Sequence, residues 1–121
     1  MKIIKNYRNI DDSDRGSIIA IGNFDGIHNG HKALINNIIE LSKTMDKKTG
    51  ICTFNPHPKN FFADSQAINQ ITSQKLKYEI LEKLGIDILY EIEFNHELSR
   101  MSPDEFFNNI LIDGLGVSHV T

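Results

Sequence analysis

Four consecutive apolar residues, Ile18-Ile19-Ala20-Ile21, follow Ser17 and stop abruptly at Gly22. A strand that is apolar on both faces has no solvent side and suits the interior of a parallel sheet. Such a sheet needs helices over both faces, and the rest of the chain supplies candidates. Ala33, Leu34, Ile38 and Leu41 recur at helical spacing, so with Asn29 as N-cap a helix is predicted from about Gly30 to Met45. A second apolar run, Ile51 to Phe54, predicts a strand. Asn55-Pro56-His57-Pro58 ends it, because two prolines one residue apart fit neither a central strand nor a helix. Phe61 to Thr72 has no clear period and reads as a long loop. Ser73 caps a predicted helix over Gln74 to Leu84, with Leu76, Ile80, Leu81 and Leu84 on one face and Gly85 at C′. Ile86 to Ile92 alternates as a third strand. Ser102-Pro103-Asp104-Glu105 places an N-cap Ser, a Pro at N1 and a Glu at N3. The helix it opens carries Phe106, Phe107, Ile110 and Leu111 to about Asp113, with Gly114 at its end, and Val117 to Thr121 begins a fourth strand.

Strand and helix alternate throughout, which predicts the α/β class: a Rossmann-like parallel sheet with helices on both faces, incomplete at the C-terminus. Ligands in open sheets of this kind lie beyond the carboxyl ends of the strands. The segments after Ile21 and after Phe54 both leave such ends, so they are expected to face one crevice.

Length and composition narrow the functional classes. The 121 residues allow one domain with a real core, and 40% apolar with 24% charged residues is a globular rather than a disordered profile. A net charge of −3 and no run of Lys and Arg argue against binding a nucleic-acid backbone, leaving small-molecule chemistry as the default. The single cysteine, Cys52, has no internal disulfide partner, builds no thiolate metal site alone, and reads as a buried, inert thiol. No signal-like stretch opens the chain and nowhere do about 18 apolar residues run together, so a cytoplasmic protein without membrane contact is expected.

Gly22-Asn23-Phe24-Asp25-Gly26-Ile27-His28-Asn29-Gly30-His31 carries the chemistry. Gly22, Gly26 and Gly30 leave room for sharp turns and for close approach of the backbone to a ligand. The helix starting near Gly30 directs unpaired N–H groups and the positive end of its dipole at the crevice. His28 and His31, three apart, are placed to donate hydrogen bonds to phosphate oxygens at the same mouth. Such donors suit charge growing on an α-phosphoryl group and on departing pyrophosphate. A lone histidine near a helix start is usually a surface or capping residue; the pair is what raises the reading. Two metal ligands would want a third partner, for which Asp25 fits poorly. Neither a Walker loop nor a G-x-G-x-x-G fingerprint is present.

The pattern G-x-F-D-G-x-H-x-G-H resembles the signature of the HIGH-type nucleotidylyl transferases, in which two histidines and the following helix hold the ATP phosphates. Relatives acting on pantetheine phosphate or nicotinamide mononucleotide usually have Pro after the Asp, where this chain has Gly26. The Asp-Gly-Ile-His form is similar to the adenylyltransferase module of the bacterial bifunctional riboflavin kinase/FMN adenylyltransferases. Thr53-Phe54-Asn55-Pro56-His57-Pro58 resembles the T-F-x-P-H-P segment that lines the flavin side of the cleft in that family. Ile71 to Lys75, Leu84 to Asp87 and Met101 to Phe106 also track the family pattern and read as scaffold.

The resemblance implies adenylyl transfer from ATP to FMN, giving FAD and pyrophosphate, with His28 and His31 catalytic. It implies ATP contacts over Gly22, Asn23, Phe24, Asp25 and Gly30, Asp25 being suited to fixing the loop. FMN contacts fall to Asn55, Pro56, His57, Pro58 and an aromatic, Phe61 or Phe62. Position 55 is often acidic in the family and here is Asn. Magnesium is implied by the nucleotide chemistry, with no ligands assigned. Residues 1–121 then form one nucleotidylyl-transferase domain. A Gly-x-x-Phe-x-Phe-Gly-like segment, a Ser/Thr-rich motif with its Arg, and the riboflavin kinase module normally fused to it would follow in the family and are expected to be missing here. The isolated chain is accordingly expected to be a weak catalyst. A cytidylyltransferase-type sister enzyme would share the first motif but not the Pro-His-Pro loop. A domain that binds nucleotide without turnover is the non-enzymatic alternative.

Overall fold

Lys2–Ile4 (β1), Ile18–Ile21 (β2), Thr49–Asn55 (β3), Ile88–Glu93 (β4) and His119–Val120 (β5) join in one sheet in the order β1-β4-β3-β2-β5. Every neighbouring pair is parallel. The computed structural model describes residues 1–22, 24, 29–55 and 74–121. Its helices are Asn29–Met45 (α1), Gln74–Leu84 (α2), His96–Ser99 (α3) and Pro103–Glu105 (α4), the last running on into a π-helical stretch, Phe106–Leu115. The expected α/β class, a parallel sheet with helices on both faces, is therefore the fold.

Alternation along each strand sorts the core into two layers. Ile18, Ala20, Ile51 and Leu89 face α1 and α2, where Ile35, Ile38 and Leu81 meet them. Ile19, Cys52, Ile88, Tyr90 and Ile92 face the other way, against Leu98, Ile110, Leu111 and Leu115. From β2 the chain steps outward to β3 and β4 with its helices on one face. It then returns across the opposite face to place β5 on the other side of β2. The strand order thus reverses at β2, and ligands in such sheets bind at the carboxyl end of that reversal.

Local signals match the structure closely. Helix α2 has the predicted bounds, and Gly85 after it takes a φ of +98°, the left-handed turn that glycine adopts without a steric cost. Ser102 and Glu105 form a reciprocal capping box with Pro103 in the first turn. Ser73 and the loop expected over Phe61 to Thr72 lie outside the described residues. Cys52 is fully buried, and burial pushes its thiol up to about 12, so it stays protonated and inert.

Three features depart from the sequence expectation. Lys2–Ile4 was not expected as a strand, yet it pairs with Ile88–Tyr90 as an edge of the sheet. A short helix, α3, is capped by Asn95, whose side chain accepts from the Leu98 N–H at 2.9 Å. The last helical stretch ends at Gly116 (φ +63°) rather than Gly114. There the Arg15 guanidinium donates to the carbonyls of Ile112, Asp113 and Gly114 at 3.0–3.2 Å. A cation at a helix C-terminus satisfies orphan carbonyls and opposes the dipole, so the helical path continues past Gly114.

Candidate functional site at the strand ends

Gly22 continues directly from β2, and its N–H donates to the Cys52 carbonyl of β3 at 3.0 Å. That bond holds the start of the glycine-histidine segment against the neighbouring strand, three residues before Asn55. Phe24 then turns inward: it is 3% exposed and belongs to the core layer under α1. Its backbone has a φ of +55°, a left-handed conformation that costs a non-glycine residue about 1–2 kcal/mol. Burial of the ring offsets that strain. A Cβ added at Gly22 would lie 3.1 Å from the Phe24 ring, a tight contact that the ring would have to shift by a few tenths of an ångström to relieve. His31, in the first turn of α1, packs on the same ring with centroids 4.8 Å apart and planes at 52°. The Phe24 side chain thus anchors the start of the segment in the core.

The end of β3 is built differently. Asn55, its last residue, sits beside Glu93 of β4 in register, and its carbonyl accepts from the Phe94 N–H at 3.1 Å. On the α2 face, Lys5, Asn55, Glu91 and Glu93 line a polar hollow of about 340 Å³. Glu91 is a buried carboxylate surrounded by donors: Gln74 Nε2 at 2.6 Å, the Tyr78 hydroxyl at 2.5 Å and Asn55 Nδ2 at 3.4 Å. Lys5 Nζ lies 3.8 Å from it. Burial, and then the hydrogen bond to Glu91 and its negative charge, push the Tyr78 phenol up to about 12, which keeps it a donor. On the opposite face Phe54 meets Phe94 edge-on at 5.9 Å and Phe106 at 5.8 Å. An apolar hollow of about 230 Å³ opens there, lined also by Leu98, Met101 and Pro103. The β3 end is therefore flanked by one polar and one apolar recess.

The sequence profile of the FAD synthetase family matches residues 10–121. The chain belongs to that family. Among curated members, the bifunctional riboflavin kinase/FMN adenylyltransferase of Buchnera aphidicola subsp. Schizaphis graminum is 32% identical over 120 residues, covering 99% of this chain and 38% of that protein. The protein of the same name from Listeria monocytogenes is 34% identical over 89% of this chain and 34% of its own length. That from Bacillus subtilis is 33% identical over 85% and 33%. The chain thus spans about a third of the length of these relatives. A solved structure titled a macrolide-efflux protein, from Streptococcus pneumoniae, superposes with a TM-score of 0.84 at 24% identity, over 98% of this chain and 39% of that one. At that identity it shows the shared fold alone.

Of the site residues expected from the sequence, Gly22, Phe24, Gly30, His31 and Asn55 are described, and they lie at the ends of β2 and β3 and the start of α1. Asn23, Asp25, Gly26, His28, Pro56, His57, Pro58, Phe61 and Phe62 lie outside the described residues. Among the described residues no group of three His, Cys, Asp or Glu side chains is placed to hold a metal ion, so none is assigned to magnesium. Nor does any described helix have the length and apolarity to cross a membrane. A larger hollow, about 690 Å³, lies between Tyr7–Arg15 and the C-terminal helical stretch, and Met101 lines both it and the apolar recess. Glu91 is the site-adjacent residue that sequence reasoning missed. Its only signal was a charged residue within an otherwise apolar strand, Ile88-Leu89-Tyr90-Glu91-Ile92, which reads equally as a solvent-facing position.

Proposed function

We propose that this chain is the adenylyl-transfer module of a bifunctional enzyme that phosphorylates riboflavin and converts the resulting FMN to FAD. The observation that carries the reading is the glycine-histidine segment between β2 and the start of the 17-residue helix α1, at the reversal of strand order. Helix N-termini at that position favour phosphate groups. The names of the relatives supply the substrates. The paired recesses beside β3, one polar and one apolar, suit a flavin that carries both kinds of surface.

In this mechanism an oxygen of the FMN phosphate attacks the α-phosphorus of ATP in line. The new P–O bond forms as the bond from the α-phosphorus to the bridging oxygen breaks, and pyrophosphate leaves with that electron pair. No covalent enzyme intermediate is required, so catalysis comes from positioning and charge stabilisation. His28 and His31 donate to oxygens of the reacting phosphates, and the backbone of Gly22 to Asp25 with Gly30 shapes the ATP pocket. Asn55 to Pro58 and Phe62 line the flavin side. Magnesium would accompany the nucleotide and neutralise charge on its phosphates, and no described residue is assigned to hold it.

The test uses calorimetry with ATP and FMN on this chain, and chromatographic detection of FAD from the enzyme that contains it. Binding of both ligands, with FAD and pyrophosphate formed from ATP and not from CTP, is expected. A preference for CTP would reassign the chain to a cytidylyltransferase. ATP binding without pyrophosphate release by the whole enzyme would reassign it to a nucleotide-binding domain without turnover.

A further inference from the structure

We propose that Glu91 is a positioning residue: it turns the Asn55 amide so that its carbonyl oxygen is offered, as an acceptor, to a hydrogen-bond donor of the bound flavin. This rests on the FMN reading above and deepens it.

The geometry begins with the carboxylate. Glu91 is 3% exposed, and the described groups that reach it are donors. Gln74 and Tyr78, four apart and so on one face of α2, both grip Oε2, at 2.6 and 2.5 Å. That leaves Oε1 for Asn55 Nδ2 at 3.4 Å, with Lys5 Nζ 3.8 Å away. A carboxylate only accepts, so the Asn55 NH₂ must face Glu91 and its oxygen must point the other way. Asn55 itself is exposed, at the rim of the 340 Å³ hollow. Its carbonyl is held by the bond from Phe94, which leaves the side-chain torsions, amide rotation among them, for Glu91 to restrain. A flavin carries suitable donors in its imide N3–H and its ribityl hydroxyls. With Asp at position 55 two carboxylates would face one another across 3–4 Å, a like-charge contact that disfavours the arrangement. The pair divides the work, one residue holding the buried charge and the other presenting the acceptor.

The experiment measures FMN affinity by quenching of flavin fluorescence, and ATP affinity by calorimetry, on the full chain and on E91Q, N55D and the double variant N55D/E91Q. Each single change is expected to weaken FMN about five-fold, the worth of one hydrogen bond, with ATP binding altered less than about two-fold. The double variant should bind FMN within about two-fold of the wild type, because the amide introduced at 91 donates to the carboxylate introduced at 55. A role confined to stability would not produce that rescue. With N3-methyl FMN, a wild-type loss matching the single variants identifies the imide as donor, and an unchanged pattern identifies a ribityl hydroxyl. Circular dichroism checks folding. Should E91Q not fold, Tyr78→Phe, which loosens the carboxylate and leaves its charge, should weaken FMN about two-fold. FMN affinity unchanged in both single variants, or a double variant no better than either, overturns the proposal. Failure of the wild-type chain to bind FMN at all would instead bring down the flavin reading, and this inference with it.

Discussion

β2 and β3 are neighbours in the sheet, and their carboxyl ends are linked by the bond from Gly22 to Cys52, yet the two ends are made of different materials. At β2 the described groups are backbone and apolar: a glycine, a left-handed Phe24 with a buried ring, and a histidine packed on that ring. At β3 and β4 the end is made of polar side chains, with Glu91 at the centre of a network drawn from two strands and a helix. The first suits a ligand recognised by charge and by backbone N–H groups, as phosphate is. The second suits a ligand recognised by a pattern of donors and acceptors. On the proposed function the two substrates would be held by different means, one by main-chain geometry with the two histidines and the other by side-chain orientation.

The sharpest way to break this comparison is to remove the apolar anchor. Phe24→Ala should cost about 3 kcal/mol in urea unfolding, the usual cost of deleting a buried phenyl group. It should also weaken ATP more than FMN in calorimetry. A loss below about 1 kcal/mol would mean that the ring does not hold the segment. Next in size is the chemistry at the same end. His28→Ala and His31→Ala in the whole enzyme should each lower the rate of FAD formation at least about ten-fold, with little change in melting temperature. Undiminished turnover in both variants would remove the histidines from the mechanism.

The smallest effect belongs to the polar end. Tyr78 rises from its ordinary value of 10 to about 12 through burial and then through Glu91, so the folded state favours the protonated phenol. Its contribution to stability is present below about pH 10 and is lost as pH rises toward 12. Cys52 and Tyr90, also raised by burial, add to the loss in the wild type. In Tyr78→Phe the decline in unfolding free energy between pH 10 and 12 should therefore be shallower. Identical slopes would show that folding does not raise the Tyr78 phenol.

Legibility in the sequence followed distance along the chain. The capping box of Ser102 and Glu105 closes within four residues, and the apolar face of Gln74–Leu84 repeats within single turns, so both could be read directly. β1 could not, because three residues are too few for a period and its stabilisation comes from Ile88–Tyr90, far along the chain. Gly114 looked like a helix end until Arg15, 98 residues before Asp113, was seen to cap the carbonyls around it. Within the site, the glycine-histidine spacing and the Asn55-Pro56-His57-Pro58 run were legible as sequence motifs. The inward turn of Phe24 and the burial of Glu91 were not.

The sequence by itself determined that strands and helices alternate, that glycine and two histidines follow a buried strand, and that two prolines one residue apart follow the next one. These are properties of neighbouring residues, and periodicity and turn chemistry report them without a fold. Only the tertiary structure decided that strand order reverses at β2, that Phe24 anchors its loop by its ring, and that Glu91 holds Asn55 from 36 residues away. A carboxylate in a strand carries no local mark of whether it will meet water or a helix. That depends on which element packs over it, and the packing of α2 on β4 exists only once the chain has closed on itself.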